Sequence, residues 1–276
     1  MMGSTVSVAF LGIDGSGKSS LAHSLASALA DKGVTVSFSG WRPSLEGMSG
    51  WRGDSVRELW VETFRLLVGA TPLSAQEIPD NYRDWVVGDW EGRLNAAAGA
   101  RGSSVGALAA AFVEIAGAVL QREPVTDDTR VRIVDSFPYK YSIKDLIIAR
   151  SLGEVPPNLL ESTRQAVRLV YETPWMQPDI GFMIRVKPET ALARLQQRGP
   201  LNIVEDLRLA GQPGVPGFHA MQRACADEFE HAASAWNWNP FDNEDNFEST
   251  RLDFLELALP LVERALGDKE DSCAIS

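Results

Sequence analysis

Short apolar runs alternate with longer segments of helical periodicity along this chain of 276 residues. Five runs have the length and the β-branched or aromatic content of strands: residues 6–11, 34–38, 130–135, 180–186 and, with the weakest pattern, 236–241. The segments between them place apolar residues three or four positions apart, which is typical of amphipathic helices. Strands that alternate with helices indicate an α/β protein whose parallel sheet is covered by helices on both faces.

Several segments have the pattern of helices, and some of them make specific predictions. The helical segments are residues 20–29, 57–68, 82–98, 105–121, 143–150, 159–170, 188–198, 218–235 and 252–266. Residues 105–121 are almost continuously apolar, so we expect this helix to be buried on most sides. Tyr82, Trp85 and Trp90 are expected in the core or in a cleft wall, because aromatic side chains dominate burial. Residues 199–217 are rich in proline and glycine, and we expect them to form a mobile loop.

The turn after the first strand carries a phosphate-binding motif. Gly12-Ile13-Asp14-Gly15-Ser16-Gly17-Lys18-Ser19 satisfies the pattern G-x-x-x-x-G-K-[ST] between an apolar strand and the start of a helix. The glycines allow backbone N–H groups to converge on phosphate oxygens near the positive end of that helix. Lys18 is expected to reach the β- and γ-phosphates, and the Ser19 hydroxyl is expected to bind Mg²⁺. The predicted nucleotide-binding residues are Gly12, Asp14, Gly15, Ser16, Gly17, Lys18, Ser19 and Ser20. The motif therefore predicts binding of a nucleoside triphosphate.

Charged residues at three other places are candidates for chemistry. Asp135 ends the third strand, where parallel sheets place ligand-binding groups, so we expect it to bind Mg²⁺ or substrate; a turn cap is the alternative. Arg194 and Arg198 lie on one helical face beside the mobile loop and are suited to neutralising a transferred phosphoryl group; a solvated face is the alternative. Asp14 is expected to meet a hydroxyl or amine of the acceptor, as hydrogen-bond acceptor or base, unless it turns to solvent.

Composition and charge narrow the class of protein. The net charge of -11 argues against a nucleic-acid-binding surface, which requires basic patches. Two cysteines and three histidines form neither a disulfide framework nor a zinc-site pattern. No signal peptide and no apolar run of transmembrane length are apparent, so we expect a cytoplasmic protein without a membrane partner. The last four residues, Cys273-Ala274-Ile275-Ser276, match a prenylation motif, but no polybasic segment precedes them and we expect a frayed, unmodified tail.

Three stretches of the chain resemble the thymidylate kinase family of P-loop nucleoside monophosphate kinases. They are residues 10–20 with the acid at Asp14, residues 178–194 around the fourth strand, and residues 105–121 running into residues 131–135. The resemblance follows the element order over most of residues 5–266. It implies a three-layer P-loop NTPase fold, here a single domain over residues 1–276, with a five-stranded parallel sheet flanked by helices. It also implies a short arginine-bearing lid at about residues 195–217, an acceptor-side helical region at about residues 44–125, and an Mg·ATP donor. In the family the position of Asp14 lies near the sugar hydroxyl of the acceptor, and members are often homodimers.

Two departures from the family pattern bear on the acceptor. The family follows the strand-three aspartate with an arginine that grips phosphate, whereas this chain has Ser136-Phe137-Pro138 after Asp135. Lys140 or Lys144 is a candidate to replace that arginine. After strand two, Trp41-Arg42-Pro43 keeps one cation of the family's Arg-Glu-Pro run, and we expect Arg42 to orient the acceptor. The missing arginine favours a hydroxyl acceptor over a monophosphate.

These residues predict an ATP-dependent phosphotransferase that transfers the γ-phosphoryl group of Mg·ATP to a nucleoside, a nucleotide or a similar small molecule. The predicted catalytic residues are Lys18, Arg194, Arg198 and Asp14, the predicted substrate-binding residues are Asp14, Arg42, Asp135 and Lys140, and the predicted Mg²⁺ ligands are Ser19 and Asp135. A second hypothesis is a regulatory protein on the same fold that binds ATP and hydrolyses it slowly or not at all. The sequence contains neither the Asn-Lys-x-Asp motif of GTPase switches nor the Ser-Gly-Gly signature of transporter ATPases.

Overall fold

Five parallel strands form one sheet in the order β2-β3-β1-β4-β5. In this computed structural model, which describes residues 5–39, 48–68, 78–96, 101–122 and 129–275, the strands are β1 (Val6–Leu11), β2 (Val36–Ser39), β3 (Val131–Val134), β4 (Ile180–Arg185) and β5 (Asn239–Asp242). Strand β1 is central and pairs with β3, Val6 opposite Val131, and with β4, Val8 opposite Ile180. Because the strands are parallel, their carboxyl ends meet at one edge of the sheet. The predicted five-stranded parallel sheet is confirmed, with the fifth strand three residues later than expected.

Helices cover both faces of this sheet, and the helices between β2 and β3, called the helical tract below, extend on one side. The helices of the whole chain are α1 (Lys18–Asp31), α2 (Gly50–Leu67), α3 (Tyr82–Val87), α4 (Trp90–Ala96), α5 (Ser104–Gln121), α6 (Tyr139–Leu152), α7 (Pro157–Glu172), α8 (Pro188–Arg198), α9 (Val215–Ala235) and α10 (Phe247–Ile275). All six residues of β1 are buried, as expected for a strand with an apolar layer on each face. Phe10 belongs to the buried cluster that includes residues of α1 and α10, whereas Leu11 belongs to the cluster that includes residues of α6 and α9. The fold is therefore the predicted three-layer α/β arrangement.

Aromatic side chains build the core of the helical tract. Trp60 meets Trp85 edge to face, with 4.8 Å between ring centroids. Trp85 and Trp90 are only 1% and 9% exposed, so the expectation that they lie in the core is confirmed. The stretch expected to be helical over residues 82–98 forms two short helices, because the chain turns at Gly88 and Asp89, where Asp89 has a left-handed φ of 47°.

Helix α5 departs from two expectations. Val105, Phe112 and Val119 are 63%, 49% and 40% exposed, so the prediction that this helix is buried on most sides is wrong. Its neighbours α2 and α6 cover only part of its circumference. With 18 residues and a mean hydropathy of 1.6, α5 is also long and apolar enough to cross a membrane, contrary to the expectation that no run approaches that length. A core helix of a globular protein meets the same criterion.

Residues 199–217 were expected to form a mobile loop, but residues 215–217 belong to α9 and residues 199–214 are internally hydrogen-bonded. This segment of residues 199–214 contains a short 3-10 turn, Arg208–Ala210, and the fully buried Asp206. The Asp206 carboxylate accepts hydrogen bonds from Arg208 Nε at 2.9 Å and from the backbone N–H of Gly214 at 2.8 Å. Arg208 also donates to the carbonyl of Asn95 in α4, at 3.0 Å. The segment is thereby fixed to the helical tract, and α9 begins at Val215, three residues before the predicted start.

Candidate functional site

The phosphate-binding motif forms a tight loop between β1 and α1, as predicted. Gly15 has a left-handed φ of 77°, and a Cβ atom there would lie 2.5 Å from the carbonyl oxygen of Ala191 in α8. Gly17 has a φ of 82° and packs directly against the side chain of Asn243, which follows β5. Asn243 donates from Nδ2 to the carbonyl of Ser16, at 2.7 Å. Glycine is therefore required at both positions by backbone conformation and by the neighbouring elements that hold the loop.

Lys18 is buried within this loop. Its ammonium group donates to the carbonyls of Gly12 and Ile13 at 2.8 and 2.6 Å and to Ser16 Oγ at 3.1 Å. Burial, and then the positive charge of Lys140, hold the pKa of Lys18 well below its usual range, against the opposing effect of nearby carboxylates. The cation is thus held beside the loop by neutral oxygens, which the oxygens of a phosphate group would outcompete.

Ser19 and Asp135 meet at the carboxyl edge of the sheet. Ser19 Oγ donates to Asp135 Oδ2 at 3.0 Å. The other carboxylate oxygen, Asp135 Oδ1, is buried and has no hydrogen-bond partner among the described residues. A hydroxyl and a carboxylate with an unused oxygen are the hard oxygen ligands that Mg²⁺ prefers. The two predicted metal ligands are therefore adjacent, and their chemistry fits the ion.

A cavity of about 930 Å³ opens beside the loop and brings most of the predicted site residues together. It is lined, among others, by Asp14, Gly15, Gly17, Lys18, Ser19, Ser20, Asp135, Lys140, Arg194 and Arg198. Gly12 and Ser16 lie beneath this surface, within the loop. Arg42, the predicted acceptor-binding residue, lies outside the described residues. So do Ser276 of the C-terminal prenylation motif and the side chains of Cys273, Ala274 and Ile275. The volume of the cavity, about 930 Å³, is within the range of ligand pockets, roughly 300–1,000 Å³.

Asp14 is ion-paired with two lysines of α6. Lys140 Nζ lies 2.5 Å from Asp14 Oδ1, and Lys144 Nζ lies 2.8 Å from Asp14 Oδ2. Gln222 of α9 donates from Nε2 to Asp14 Oδ2 at 3.0 Å. Burial alone would raise the pKa of Asp14, but the charges of Lys140 and then Lys144 hold it well below its usual range. Asp14 does not turn to solvent, since its side chain is only 12% exposed. A carboxylate in this setting binds a proton weakly, so the arrangement does not suit the expected role as a base.

The arginines of α8 make different contacts. Arg194 donates from Nη2 to the carbonyl of Asn243 at 2.9 Å, whereas its Nη1 is buried without a hydrogen-bond partner among the described residues. That nitrogen lies 3.9 Å from the position that a Cβ atom on Gly17 would occupy. Arg198, with a side chain 56% exposed, donates to Glu205 Oε1 at 2.6 Å. Arg194 therefore offers an unused donor beside the phosphate loop, and Arg198 reaches the cavity from its outer side.

Three residues that hold predicted site residues in place, Asn243, Gln222 and Glu205, were not predicted from the sequence. Asn243 follows the fifth strand at the carboxyl edge of the sheet, so the rule that locates ligand groups at strand ends applies to it as well. Gln222 and Glu205 have no such local signal, because neither belongs to a motif or to a strand end. Lys144, a candidate from the sequence to replace the missing phosphate-binding arginine, instead forms an ion pair with Asp14.

Comparison with known proteins gives neighbours in structure alone. No protein-family model matches the sequence, and no curated protein matches it either. A structure of deoxyadenosine kinase from M. mycoides with bound dCTP aligns over 91% of this chain and 97% of that chain, with a TM-score of 0.43 and 12% identity. The structure with bound dATP aligns over 91% of this chain and 98% of that chain, with a TM-score of 0.46 and 12% identity. At these values, function has to be argued from the geometry of the cavity.

Proposed function

We propose that this protein is an ATP-dependent phosphotransferase that transfers the γ-phosphoryl group of Mg·ATP to a hydroxyl of a nucleoside or a similar small molecule. The observation that carries the proposal is the pairing of Ser19 with Asp135 beside Lys18, with one Asp135 oxygen left unused. A hydroxyl, a carboxylate and a lysine in a glycine loop are the parts that bind an Mg·triphosphate group. They lie together on one wall of a cavity of suitable size.

Each residue has a role in this proposal that follows from its contacts. Backbone N–H groups of the loop and Lys18 would hold the triphosphate, with Lys18 exchanging the carbonyls of Gly12 and Ile13 for phosphate oxygens. Ser19 and Asp135 would hold Mg²⁺, which when bound neutralises charge that develops on the phosphate oxygens.

The two arginines of α8 would neutralise phosphoryl charge at different places. Arg194 would use its unpaired Nη1 for a phosphate oxygen. Arg198 would supply charge from the outer side, if residues 195–217 act as the lid over the cavity.

The ion pairs of Asp14 support a hydroxyl acceptor. Lys140 and Lys144 are the cations best placed to grip a second phosphate, but Asp14 engages both. No arginine follows Asp135, where Ser136 stands instead. An acceptor that carries its own phosphate would have to displace two buried ion pairs, at a cost of several kcal/mol, roughly 3–5 for a broken buried pair. A neutral hydroxyl compound has no such requirement. Asp14 would then orient the acceptor through the two lysines, and Arg42 remains a proposed acceptor ligand.

The same ion pairs favour a second function, in which the protein binds ATP but transfers nothing. Asp14 is the acid proposed to lie near the acceptor hydroxyl, and its low pKa makes it a poor base for that hydroxyl. A protein of this kind would bind Mg·ATP through the same residues and act as a nucleotide-dependent regulator. Binding and transfer therefore have to be measured separately.

The proposal is tested by titration calorimetry with Mg·ATP and by transfer assays with thymidine, deoxyadenosine and dTMP as acceptors. We expect Lys18→Ala and Asp135→Asn each to lower transfer by about 100-fold or more, because each removes charge stabilisation of the transferred group. The matched controls are Lys32→Ala, a half-exposed lysine paired with Glu263, and Asp179→Asn, an aspartate bonded to Ser7 at the start of the central strands.

The outcomes separate the two functions. Binding of Mg·ATP with transfer to a nucleoside supports the phosphotransferase, and binding without transfer to any acceptor supports the regulator. Strong and selective transfer to dTMP would contradict the hydroxyl acceptor. A wild-type protein that fails to bind Mg·ATP would overturn both functions.

A further inference from the structure

We infer that Gln222 is a positioning residue that joins the phosphate loop to residues 199–214, so that Arg198 and the loop keep a fixed relative placement. The inference rests on the proposed phosphotransferase function. Gln222 lies in α9, outside every recognised motif, and its residue surface is fully buried. A buried glutamine must satisfy two N–H donors and one carbonyl acceptor, and the groups that satisfy them define what it connects.

The amide of Gln222 is saturated by two elements of the site. Its Nε2 donates to Asp14 Oδ2 at 3.0 Å and to the backbone carbonyl of Glu205 at 2.9 Å. Its Oε1 accepts the backbone N–H of Asp14 at 3.0 Å. Asp14 is therefore held through both its backbone and its carboxylate, while the same amide nitrogen holds the backbone of residues 199–214. Neither a carboxylate nor an apolar side chain of the same size could replace these three bonds.

Glu205 carries the connection to Arg198. Its carboxylate accepts hydrogen bonds from Arg198 Nη2 at 2.6 Å and from the backbone N–H of Asn202 at 2.9 Å. The Glu205 side chain is only 4% exposed, whereas that of Arg198 is 56% exposed. The exposed arginine is thus fixed by a buried acid whose backbone is in turn fixed by Gln222.

The far side of the segment is tied to the helical tract. Asn95 at the end of α4 accepts the backbone N–H of Ile203 at 2.7 Å through its side chain. Residues 199–214 are therefore held between the phosphate loop on one side and the helical tract on the other. In reactions that depend on positioning, a displacement of about 1 Å can cost about 100-fold in rate. Loss of Gln222 would free one side of the segment without removing any group that touches the phosphates.

The first test is amide hydrogen exchange on the nucleotide-free protein, which does not depend on catalysis. In Gln222→Leu, amides of residues 199–214 should exchange at least about 10-fold faster than in the wild type, while those of β1 and β4 keep their protection. Gln177→Leu is the matched control. Gln177 is a partly buried glutamine whose amide accepts from Trp238 Nε1 and donates to the carbonyl of Tyr171, away from the phosphate loop. It should leave exchange in residues 199–214 unchanged.

The second test is the kinetics of phosphoryl transfer. Gln222→Leu and the isosteric Gln222→Glu should lower kcat by about 100-fold with KM for ATP within about threefold, because positioning is lost while the ATP contacts remain. A purely structural role would lower thermal stability in both the Gln222 and the Gln177 variants and leave kcat of the folded fraction unchanged.

The outcomes keep this inference apart from the proposed function. If the wild type transfers phosphoryl groups and both Gln222 variants keep their kcat within about threefold, the positioning role is overturned and the phosphotransferase stands. If the wild type transfers no phosphoryl groups, amide hydrogen exchange tests whether Gln222 joins the phosphate loop to residues 199–214. Unchanged protection of these residues in Gln222→Leu would overturn that connection, and faster exchange would support it.

Discussion

Two groups of carboxylates are associated with neighbouring positions of helix α6, and their pKa values are shifted in opposite directions. Asp14 is paired with Lys140 and Lys144, and its pKa is held well below the usual range, against burial that would raise it. Asp145, the residue after Lys144, is 4% exposed, and its Oδ2 has no hydrogen-bond partner among the described residues. Burial, and then the charge of Glu114 in α5, raise the pKa of Asp145 well above its usual range, and burial raises that of Glu114 to about 7.

Neighbouring ammonium groups, and not the extent of burial alone, decide which of these acids are charged. Burial, full for Asp145 and partial for Glu114, disfavours the ionised forms of these carboxylates. Asp14 receives two ammonium groups and an amide and stays ionised. A hydrogen bond with Thr63 and the charge of Lys144 lower the pKa of Glu114, and Lys144 also lowers that of Asp145, but neither pKa is brought back to its ordinary value. Ion pairs thus keep the carboxylate beside Lys140 and Lys144 charged, whereas burial favours the protonated forms of Glu114 and Asp145.

The largest loss of stability is expected when Asp14, the ion-paired acid, is replaced. Asp14→Asn leaves Lys140 and Lys144 as buried ammonium groups without the carboxylate that pairs with both. Breaking a buried pair from one side costs about 3–5 kcal/mol of unfolding free energy, and we expect a loss of that size. Urea denaturation at neutral pH measures it. Because the folded pKa of Asp14 lies below the unfolded value, the stabilisation is present above the ordinary aspartate range and disappears only as the pH falls through the folded pKa.

The control for this change is Asp54→Asn. Asp54 pairs with Arg57 at 2.6 Å on the surface, and its side chain is 69% exposed, so its loss should change the free energy by at most about 0.5 kcal/mol. If Asp14→Asn cost no more than this control, the two lysines could not be the groups that keep Asp14 charged. A double variant, Asp14→Asn with Lys140→Met, should recover part of the loss.

The sequence predicts the phosphate loop and Asp135 far better than it predicts the partners of the buried carboxylates. The phosphate loop and Asp135 are recognisable because their chemistry depends on adjacent residues or on a strand end. The partners of Asp14 are 126, 130 and 208 positions away, and no local pattern connects them. The pair of Glu114 and Asp145 has the same origin, since it exists only because α5 packs on α6.

The helical tract was predicted less well for a related reason. The apolar composition of α5 indicates a helix but not how many neighbours cover it, and Phe112 remains half exposed. The break between α3 and α4 at Asp89 is set by a single left-handed residue, which the aromatic pattern of this stretch does not reveal. Periodicity thus predicts the elements, whereas packing between distant elements decides exposure and charge.

Glu114→Gln is expected to have an intermediate effect on the free energy of unfolding. The variant should gain stability, whereas Asp14→Asn should lose it. The folded pKa of about 7 lies above the ordinary value of 4.5, so the wild type loses stability as the pH rises from the unfolded value through the folded one. Glutamine keeps the shape and removes the titration, and it also removes the charge that raises the pKa of Asp145. We expect the variant to be more stable than the wild type by about 1–2 kcal/mol at about pH 8, and by much less at about pH 5.

The control is Glu62→Gln, whose side chain is 43% exposed and faces Arg65 at the surface. Chemical denaturation across that pH range should give parallel curves for this control and the wild type, whereas the Glu114→Gln curve should diverge upward with increasing pH. Divergence toward acid pH would contradict the protonated state of Glu114.

The smallest expected effect is a shift in the titration of Glu114 when the charge of Lys144 is removed. This effect distinguishes the contribution of Lys144 from that of Lys140. The charge of Lys144 lowers the pKa of Asp14 and also those of Glu114 and Asp145. Lys144→Met should therefore move the titration of Glu114 upward from about 7, as followed by carboxyl carbon NMR. Lys140→Met is the matched variant, because Lys140 contacts Asp14 on the same turn but is not among the charges that act on Glu114. A titration of Glu114 that shifts equally in both variants would mean that the two carboxylate sites respond to the common charge of α6, and not to the individual lysines that face them.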